Sequence, residues 1–186
     1  MRAATIDPNA LGQPKRAAKS APVAPPVQAK TRPTISGALD TVQLPAQFLQ
    51  MYKSAPMERV AFIKSGVSAK SVALVAERMH ISKAHLVHLL GLGSATIDRK
   101  AKANKALTVE EGSRLLGLSR LVGQAEAMVA ESGDPTGFDA AQWVADWLER
   151  PVPALGGRNP AAFMDTADGQ AMVATLVAQM QSGAYA

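Results

Sequence analysis

Residues 146–186 have the sequence DWLERPVPALGGRNPAAFMDTADGQAMVATLVAQMQSGAYA, and this stretch decides the fold of the C-terminal part. Pro151 ends one helix, the Gly156-Gly157 pair permits a sharp turn, and Asn159-Pro160 is typical of a helix start. Thr166 is placed to cap a final amphipathic helix. The stretch is rich in apolar and small residues and has no nucleophile–base pair, which indicates a docking surface rather than a catalytic site.

Apolar spacing separates the core of this stretch from its surface. The final helix is predicted to bury five residues at spacings of three and four: Met172, Val173, Leu176, Val177 and Met180. Upstream, Asp139 is placed to cap a helix, and its Trp143 and Trp147 lie four residues apart on one face and are expected in the core. The expected contact surface is therefore narrower, namely residues 155–164 and 183–186.

The composition favours an all-helical, cytoplasmic protein. Of the 186 residues 47% are hydrophobic but only 4% are aromatic, so alanine, leucine, valine and methionine supply most of the packing, which favours helix over sheet. The absence of cysteine excludes disulfides and thiolate metal sites and fits a reducing compartment. No apolar run approaches the ~20 residues of a membrane span, and the N-terminus lacks the apolar core of a signal peptide.

Charge is distributed unevenly along the chain, whose net charge is +5. Residues 41–105 hold ten Lys/Arg and three acidic residues, whereas residues 106–186 hold four and ten. A basic middle beside an acidic end suggests an anionic partner for the first and a cationic partner surface for the second, and ordinary variation of solvated faces is the alternative. Residues 1–40 are proline-rich and aperiodic and are predicted to be a disordered basic tail, either a non-specific DNA-binding arm or a spacer.

Residues 82–105 have the layout of a helix-turn-helix. Ser82 is placed to cap an apolar helix that ends at Gly91-Leu92-Gly93, and a polar helix with Ile97 as its main apolar residue follows at once. Basic and hydroxyl side chains on that helix can contact phosphates or a base edge. The alternative is a solvated helix with a basic face. The candidate DNA-binding residues are Ser94, Thr96, Arg99, Lys100, Lys102 and Lys105.

Capping signals predict two more helices. Ser68 is placed to cap a helix with four apolar residues on one face: Val72, Val75, Ala76 and Met79. Thr108 and Glu111 form a capping box at the start of a long helix that continues to about Glu131. Its predicted buried stripe consists of Leu115, Leu118, Val122, Ala125 and Val129. Three glycines interrupt this helix, and a close helix crossing is one explanation for them.

No metal site, other cofactor or enzymatic activity is expected from the sequence. His85 and His88 lie on one helical face but lack a third ligand at a spacing that suits zinc. Glu77 and His80 form one Glu-x-x-His motif, whereas a di-iron bundle needs two such motifs and further carboxylates. Surface or structural histidines are the simpler interpretation, and no convergent set of catalytic groups is visible.

Five motifs follow one another in the last eighty residues. They are Leu107-Thr108-x-Glu110-Glu111-x-Ser113-Arg114-Leu115-Leu116, Trp147-Leu148-x-x-Pro151, Leu155-Gly156-Gly157-Arg158-x-Pro160, Asp165-Thr166-x-x-Gly169 and Gly183-x-Tyr185-Ala186. In this order and spacing the chain resembles the antitoxins of the Xre/MbcA/ParS family. Residues 57–105 resemble the helix-turn-helix part of that family more loosely, and the tail matches no family.

The expected fold is all-α and has three parts, of which the first, the disordered basic tail at residues 1–40, rests on composition alone. For the other two parts the resemblance implies a helix-turn-helix (Xre-like) region for DNA binding and dimerisation at 41–105 and a helical toxin-binding domain at 106–186. It implies a type II antitoxin that binds and neutralises a cognate RES-domain toxin by blocking its active site. Toxins of that class use NAD to ADP-ribosylate a protein, or degrade it. The resemblance also implies a homodimer within a larger toxin–antitoxin complex that represses its own operon by binding operator DNA.

The implied toxin-binding residues are Leu155, Gly156, Gly157, Arg158, Asn159, Pro160, Phe163, Met164, Gly183, Ala184, Tyr185 and Ala186. Two positions of the helix-turn-helix depart from the family pattern, because Gly93 stands where a serine is frequent and Ala95 where an arginine is common. Both changes reduce the potential for specific base contacts.

The alternative function is a stand-alone DNA-binding transcriptional regulator with a helical oligomerisation domain. A neighbouring gene for an NAD-using protein would favour the antitoxin.

Overall fold

The structure is a computed structural model that describes residues 41–44, 47–133 and 135–181. All of these residues belong to one compact unit, and apart from isolated bridges its regular structure is helical, which confirms the predicted all-α class. The predicted tail at residues 1–40 lies outside the described residues. The predicted boundary between the helix-turn-helix region and the toxin-binding domain, between residues 105 and 106, stays a prediction.

The first five helices are short and the sixth is the longest. In chain order they are α1 (Phe48–Lys53), α2 (Pro56–Lys64), α3 (Ser71–Arg78), α4 (Lys83–Leu89), α5 (Ser94–Lys102) and α6 (Val109–Ser132). The C-terminal part consists of α7 (Ala140–Leu148), two 3₁₀ helices (Pro153–Leu155 and Pro160–Phe163) and α8 (Ala167–Gln181).

Four of the predicted helix caps are present. The Thr108 hydroxyl accepts from the Glu111 amide at 3.2 Å, and the Glu111 carboxylate accepts from the Thr108 amide at 2.7 Å, which is the reciprocal capping box. The Ser82, Asp139 and Thr166 side chains each accept from the backbone amide three residues later, at 3.0–3.1 Å. Side-chain oxygens therefore satisfy amides that the helix itself leaves without acceptors.

One predicted cap, Ser68, is wrong, and the predicted helix start at Asn159-Pro160 is present without a side-chain cap. Helix α3 begins at Ser71 rather than directly after Ser68, and the Ser68 hydroxyl accepts from the Lys70 amide at 3.3 Å. The Ser68 backbone bridges Ala106, which draws this residue into the interior and away from a cap position. Asn159 occupies the position before the second 3₁₀ helix, but its side chain makes no capping hydrogen bond.

Helix α6 is the centre of the fold, and α1, α2, α7 and α8 pack against it. Its predicted stripe is completely buried at four positions and half-buried at Val129, where the helix emerges towards its end. The crossing with α1 is close, because a Cβ added at Gly123 would lie 2.2 Å from the carbonyl oxygen of Phe48. At this position, glycine is required by the approach of a backbone.

In the helix-turn-helix region, α3, α4 and α5 bury their apolar faces, and backbone hydrogen bonds hold the segment that leads into α6. The predicted faces of α3 and α4 are buried, and α5 contributes Ile97, which is only 1% exposed. The backbone of Leu107 donates to Val67 at 2.7 Å, and Ala69 donates to Lys105 at 3.1 Å. These bonds fix the segment between α5 and α6 against the segment before α3.

Helices α7 and α8 complete the core largely as predicted. The Trp143 and Trp147 rings stack with centroids 5.9 Å apart, and Trp147 is buried whereas Trp143 is half-buried. In α8, Val173, Leu176 and Val177 are buried. Met172 was wrongly assigned to the core, because it is 39% exposed beside that stripe.

Candidate functional site

A tight loop follows α7, and its two glycines determine its shape. Gly156 and Gly157 have φ values of +65° and +78°, in the left-handed region that residues with a Cβ rarely adopt. The Val152 amide donates to the Arg158 carbonyl, and the Gly157 amide donates to the Val152 carbonyl, each at 3.1 Å. The loop is therefore closed by its own backbone before the second 3₁₀ helix begins.

The predicted toxin-binding residues of this loop form two groups, one buried and one accessible to solvent. Leu155, Pro160 and Met164 are buried, so these side chains anchor the loop to the core. A second set offers accessible surface: Gly156, Gly157 and Arg158 are exposed, and Asn159 and Phe163 are half-buried. The remaining four predicted residues, at 183–186, lie outside the described residues.

Arg158 is the charged group at the surface of this loop. Its guanidinium lies over the Phe163 ring, 4.6 Å from the centroid, which is a cation–π arrangement. Its Nε also donates to the Leu155 carbonyl at 3.3 Å. The side chain is held close to the loop while it stays exposed, so it presents a positioned positive charge beside an aromatic surface.

Gln170 of α8 anchors the end of the loop from inside. Its Nε2 donates to the Met164 carbonyl at 2.8 Å and to the Arg114 carbonyl of α6 at 3.0 Å, and the residue is only 9% exposed. Sequence reasoning missed this residue. The available signal was its position three residues before Val173 and seven before Val177, because a polar residue on a buried stripe needs hydrogen-bond partners.

Arg114 connects the loop to the helix-turn-helix. Its guanidinium donates to the carbonyls of Leu90 and Gly91 at 3.1 Å and pairs with Glu110 one turn away on α6. Gly91 has a φ of +59°, and a Cβ added there would lie 2.9 Å from the Cβ of Asp165. The turn between α4 and α5 therefore touches the segment that follows the second 3₁₀ helix, a juxtaposition that the sequence pattern did not indicate.

Helix α5 exposes most of the candidate DNA-binding residues. On α5, Ser94, Arg99 and Lys102 are exposed, and Thr96 is half-buried beside the buried Ile97. Lys105, predicted on this helix, lies three residues beyond its end and is also exposed. On the same helix, Asp98 forms an ion pair with Lys83 of α4. The hydrogen bond from Lys83 is the main cause of the lowered pKa of Asp98. This pair fixes α5 relative to α4 and leaves a basic surface of three exposed side chains.

Lys100 differs from the other basic residues of α5. It pairs with Glu111 at the start of α6, and both side chains are only 17% exposed. Burial by itself would raise the pKa of Glu111, but the hydrogen bonds from Lys100 and Thr108 lower it overall. Lys100 therefore acts as a bridge between α5 and the capping box, and its assignment to DNA contact stays a prediction with less support than that of Arg99.

Two of the three histidines face carboxylates at the two ends of α7. His80 Nε2 lies 3.1 Å from an oxygen of Asp139, and His85 Nε2 lies 3.1 Å from an oxygen of Glu149. The backbone hydrogen bond from Gln142 is the main cause of the lowered pKa of Asp139, and His80 adds to it. Across the described residues no group of three or more His, Cys, Asp or Glu side chains is arranged to hold a metal ion.

Helix α5 exposes basic side chains and the loop after α7 turns on two glycines, and comparison with known families specifies the class of the protein. Residues 58–120 match the antitoxin Xre-like helix-turn-helix domain, and residues 124–183 match the antitoxin Xre/MbcA/ParS C-terminal toxin-binding domain. The class is therefore that of antitoxins with a helix-turn-helix and a C-terminal toxin-binding domain.

Two relatives agree with this class. The chain is 43% identical over 142 residues to a Prs ADP-ribosylating antitoxin of Sphingobium sp. (strain YBL2), a match that covers 76% of this chain and 89% of the relative. It is 26% identical over 123 residues to an antitoxin Xre of Yersinia enterocolitica serotype O:8 / biotype 1B (strain NCTC 13174 / 8081), covering 66% and 78% respectively. The chain belongs to the Xre/MbcA/ParS antitoxin family.

Family membership confirms the prediction of a non-enzymatic antitoxin with a helix-turn-helix and a C-terminal toxin-binding domain. The two matched regions meet between residues 120 and 124, inside α6, so this one helix serves both parts. In the described part of the chain, no helix combines the length and the apolar character that crossing a membrane requires.

Proposed function

We propose that this antitoxin neutralises a cognate RES-domain toxin that uses NAD to ADP-ribosylate a protein, and that it does so by covering the entrance of the active site. The observation that carries the proposal is the hydrogen-bonded surface loop within the toxin-binding domain, with its exposed Gly156, Gly157 and Arg158. The name of the Sphingobium relative, an ADP-ribosylating antitoxin, supports this toxin chemistry over simple NAD degradation.

The geometry suits inhibition by occlusion. A loop that is closed by its own hydrogen bonds and anchored on buried Leu155, Pro160 and Met164 loses little conformational entropy on binding. The two glycines leave the backbone accessible, and Arg158 adds a positioned cation that can meet a carboxylate or a phosphate. Residues 183–186, which come after α8 in the sequence, would complete the proposed contact.

We further propose that the protein represses its own operon as a homodimer in the cytoplasm. Arg99, Lys102 and Lys105 would contact phosphates, and Ser94 and Thr96 lie at the start of α5, where recognition helices approach base edges. Because the family match places one helix-turn-helix within the described residues, a dimer would be needed to place two such helices on adjacent half-sites of an operator.

The occlusion model is tested with the purified cognate toxin and labelled NAD. Transfer of label to protein is measured with increasing amounts of the full chain, of a chain that ends at Gln181, and of Arg158→Glu. We expect the full chain to abolish transfer, and the truncated chain to release it while keeping its helical circular dichroism signal. Full neutralisation by the truncated chain would refute the role of the terminal residues.

A matched surface variant controls for non-specific charge effects. Lys70→Glu changes one exposed cation far from the loop in sequence and is expected to leave neutralisation intact. Analysis of the reaction products separates the two toxin chemistries, because ADP-ribosylation labels a protein whereas degradation releases only free ADP-ribose. Free product without labelled protein would contradict the proposed toxin chemistry but not the occlusion.

A further inference from the structure

A groove runs between α2 and α8 across the surface of α6, and its lining includes neither the α4–α5 turn nor Gly156 and Gly157. Its walls are largely apolar or small, with Val60, Ile63, Leu116, Ala167, Ala171 and Ala174 among the lining residues. The α6 floor includes Gly117, which lies directly under Gln170. Neither the predicted DNA surface nor the predicted toxin-binding residues account for this groove.

Helix α2, which forms one wall, is packed unusually loosely. None of its nine residues is buried, and Met57 and Val60 are 77% and 43% exposed. A helix of this length is marginal by itself and normally gains its stability by burying an apolar face. The outward surface of α2 therefore has the character of a face that a partner covers.

The groove also holds two positive charges, Arg59 on α2 and Arg120 on α6. Arg59 donates to the Ser54 carbonyl, and among the described residues neither guanidinium lies within 4.0 Å of a carboxylate. Burial, and next the nearby charge of Arg59, lower the pKa of Arg120. Two cations beside apolar walls repel each other, and a carboxylate placed between them would relieve that repulsion.

The groove continues into the toxin-binding domain. Its α8 wall lies within residues 124–183, the region matched to that domain. Gln170 lines the groove and also donates to the Met164 carbonyl at the end of the Leu155–Met164 loop. An occupant of the groove would therefore lie next to the surface that the proposed toxin contact already uses.

We propose that this groove binds an acidic, apolar segment of the partner toxin and forms a second toxin interface apart from the occluding loop. Carboxylates of the segment would pair with Arg59 and Arg120, and its apolar side chains would cover Val60 and Ile63. The proposal rests on the proposed function, because it assumes the same partner. A second copy of this chain fits less well, because a symmetric contact through the groove would bring four arginines together.

The test measures binding of the toxin to the full chain by calorimetry at two salt concentrations. The double variant Arg59→Glu, Arg120→Glu is compared with Lys64→Glu, which reverses an exposed charge on α2 that does not line the groove. We expect the double variant to weaken binding by about tenfold or more and to remove part of its salt dependence. Lys64→Glu should change the dissociation constant by less than about twofold.

A photocrosslinking amino acid in place of Val60 identifies what covers the groove. The proposal expects a crosslink to a toxin peptide that contains Asp or Glu. Crosslinking to a second antitoxin chain, with light scattering showing loss of the dimer in the double variant and unchanged toxin affinity, would overturn it in favour of self-association. The neutral pair Arg59→Gln, Arg120→Gln guards against misfolding, since it should weaken binding less and melt like the wild type.

The outcomes also separate this proposal from the proposed function. If the wild-type chain does not bind or inhibit the toxin, the proposed function fails first. If truncation after Gln181 releases toxin activity but the groove variants bind with unchanged affinity, only the groove proposal is overturned. Groove variants that bind weakly and still inhibit at saturating concentration support two interfaces, one for affinity and one for occlusion.

Discussion

The Gln170 side chain donates from Nε2 to the backbone carbonyl of Arg114 at 3.0 Å, and Arg114 in turn donates through its guanidinium to the carbonyls of Leu90 and Gly91 at 3.1 Å. The same Gln170 amide also donates to Met164 at 2.8 Å. Two side chains therefore connect α8, α6, the loop of residues 155–164 and the turn of the helix-turn-helix. The two functional parts of the antitoxin share one hydrogen-bond network.

Replacing Gln170 should destabilise the fold and loosen the loop. Gln170→Leu removes the donor for two carbonyls in a buried environment, and such a loss costs about 1–3 kcal/mol. Urea unfolding followed by circular dichroism measures the change. The control is Gln142→Leu on the exposed face of α7, which should stay within about 0.5 kcal/mol of the wild type. Equal stability of the two variants would show that the Gln170 bonds are dispensable.

Alanine substitutions at two glycines of α6 should change the stability of the fold in opposite directions. A Cβ at Gly123 would lie 2.2 Å from the Phe48 carbonyl oxygen, so α1 must move, at a cost of about 1–3 kcal/mol. A Cβ at Gly112 would lie 3.4 Å from the Val67 side chain, which is ordinary contact. Gly112→Ala should therefore gain about 0.5–1 kcal/mol from helix propensity. Thermal melts of both variants test the pair, and a stabilised Gly123→Ala would contradict the close α1–α6 crossing.

Glu111 should make stability depend on pH in the acidic range. Its pKa is lower in the folded chain than the ordinary 4.5, so the unfolded chain takes up its proton first as the pH falls. Its contribution is complete above pH 4.5 and is lost as the pH falls through the folded pKa. Glu111→Gln keeps a side-chain oxygen for the Thr108 amide but loses the charge that pairs with Lys100, so it should lose up to about 1 kcal/mol of stability at pH 7 and show a flatter stability curve in the acidic range.

The comparison uses unfolding curves from neutral pH down to the acid limit of the native state. Thr108→Ala provides a second variant, because it removes the reciprocal hydroxyl and keeps the ion pair of Glu111 with Lys100. Its pH dependence should lie between those of the wild type and Glu111→Gln. A wild-type curve that already lacks any slope below pH 4.5 would refute the lowered pKa.

Basic residues of α5 should differ in their effect on operator binding. Arg99→Ala with Lys102→Ala removes two exposed cations, and each DNA phosphate that is no longer neutralised should reduce the slope of log affinity against log salt by about 1. Lys100→Ala should instead lower stability with little change in slope, because Lys100 pairs with Glu111. Electrophoretic mobility shifts at several salt concentrations measure the slopes. An unchanged slope in the double variant would contradict DNA binding through α5 and would indicate that another surface contacts the DNA.

Local signals in the sequence predicted most of the helices and caps. Side-chain caps at Ser82, Thr108 and Asp139 depend on residues three positions away, so their spacing is visible along the chain. The predicted cap at Ser68 was wrong because tertiary pairing with Ala106 draws it into the interior. The prediction that Met172 is buried was wrong for a related reason. Periodicity identifies the apolar face of a helix but not where the edge of that face meets a neighbouring helix.

The sequence by itself determined the all-α class, most of the helix boundaries, the family motifs and the two glycines that turn the loop after α7. All of these depend on neighbours within a few residues or on a recognisable order of motifs. Only the tertiary structure decided that Lys100 faces Glu111, that Gln170 and Arg114 join the loop to the α4–α5 turn, and that Arg59 and Arg120 line one groove. The physical reason is distance along the chain. These pairs lie 11 to 61 residues apart, and the packing around α6 brings them together.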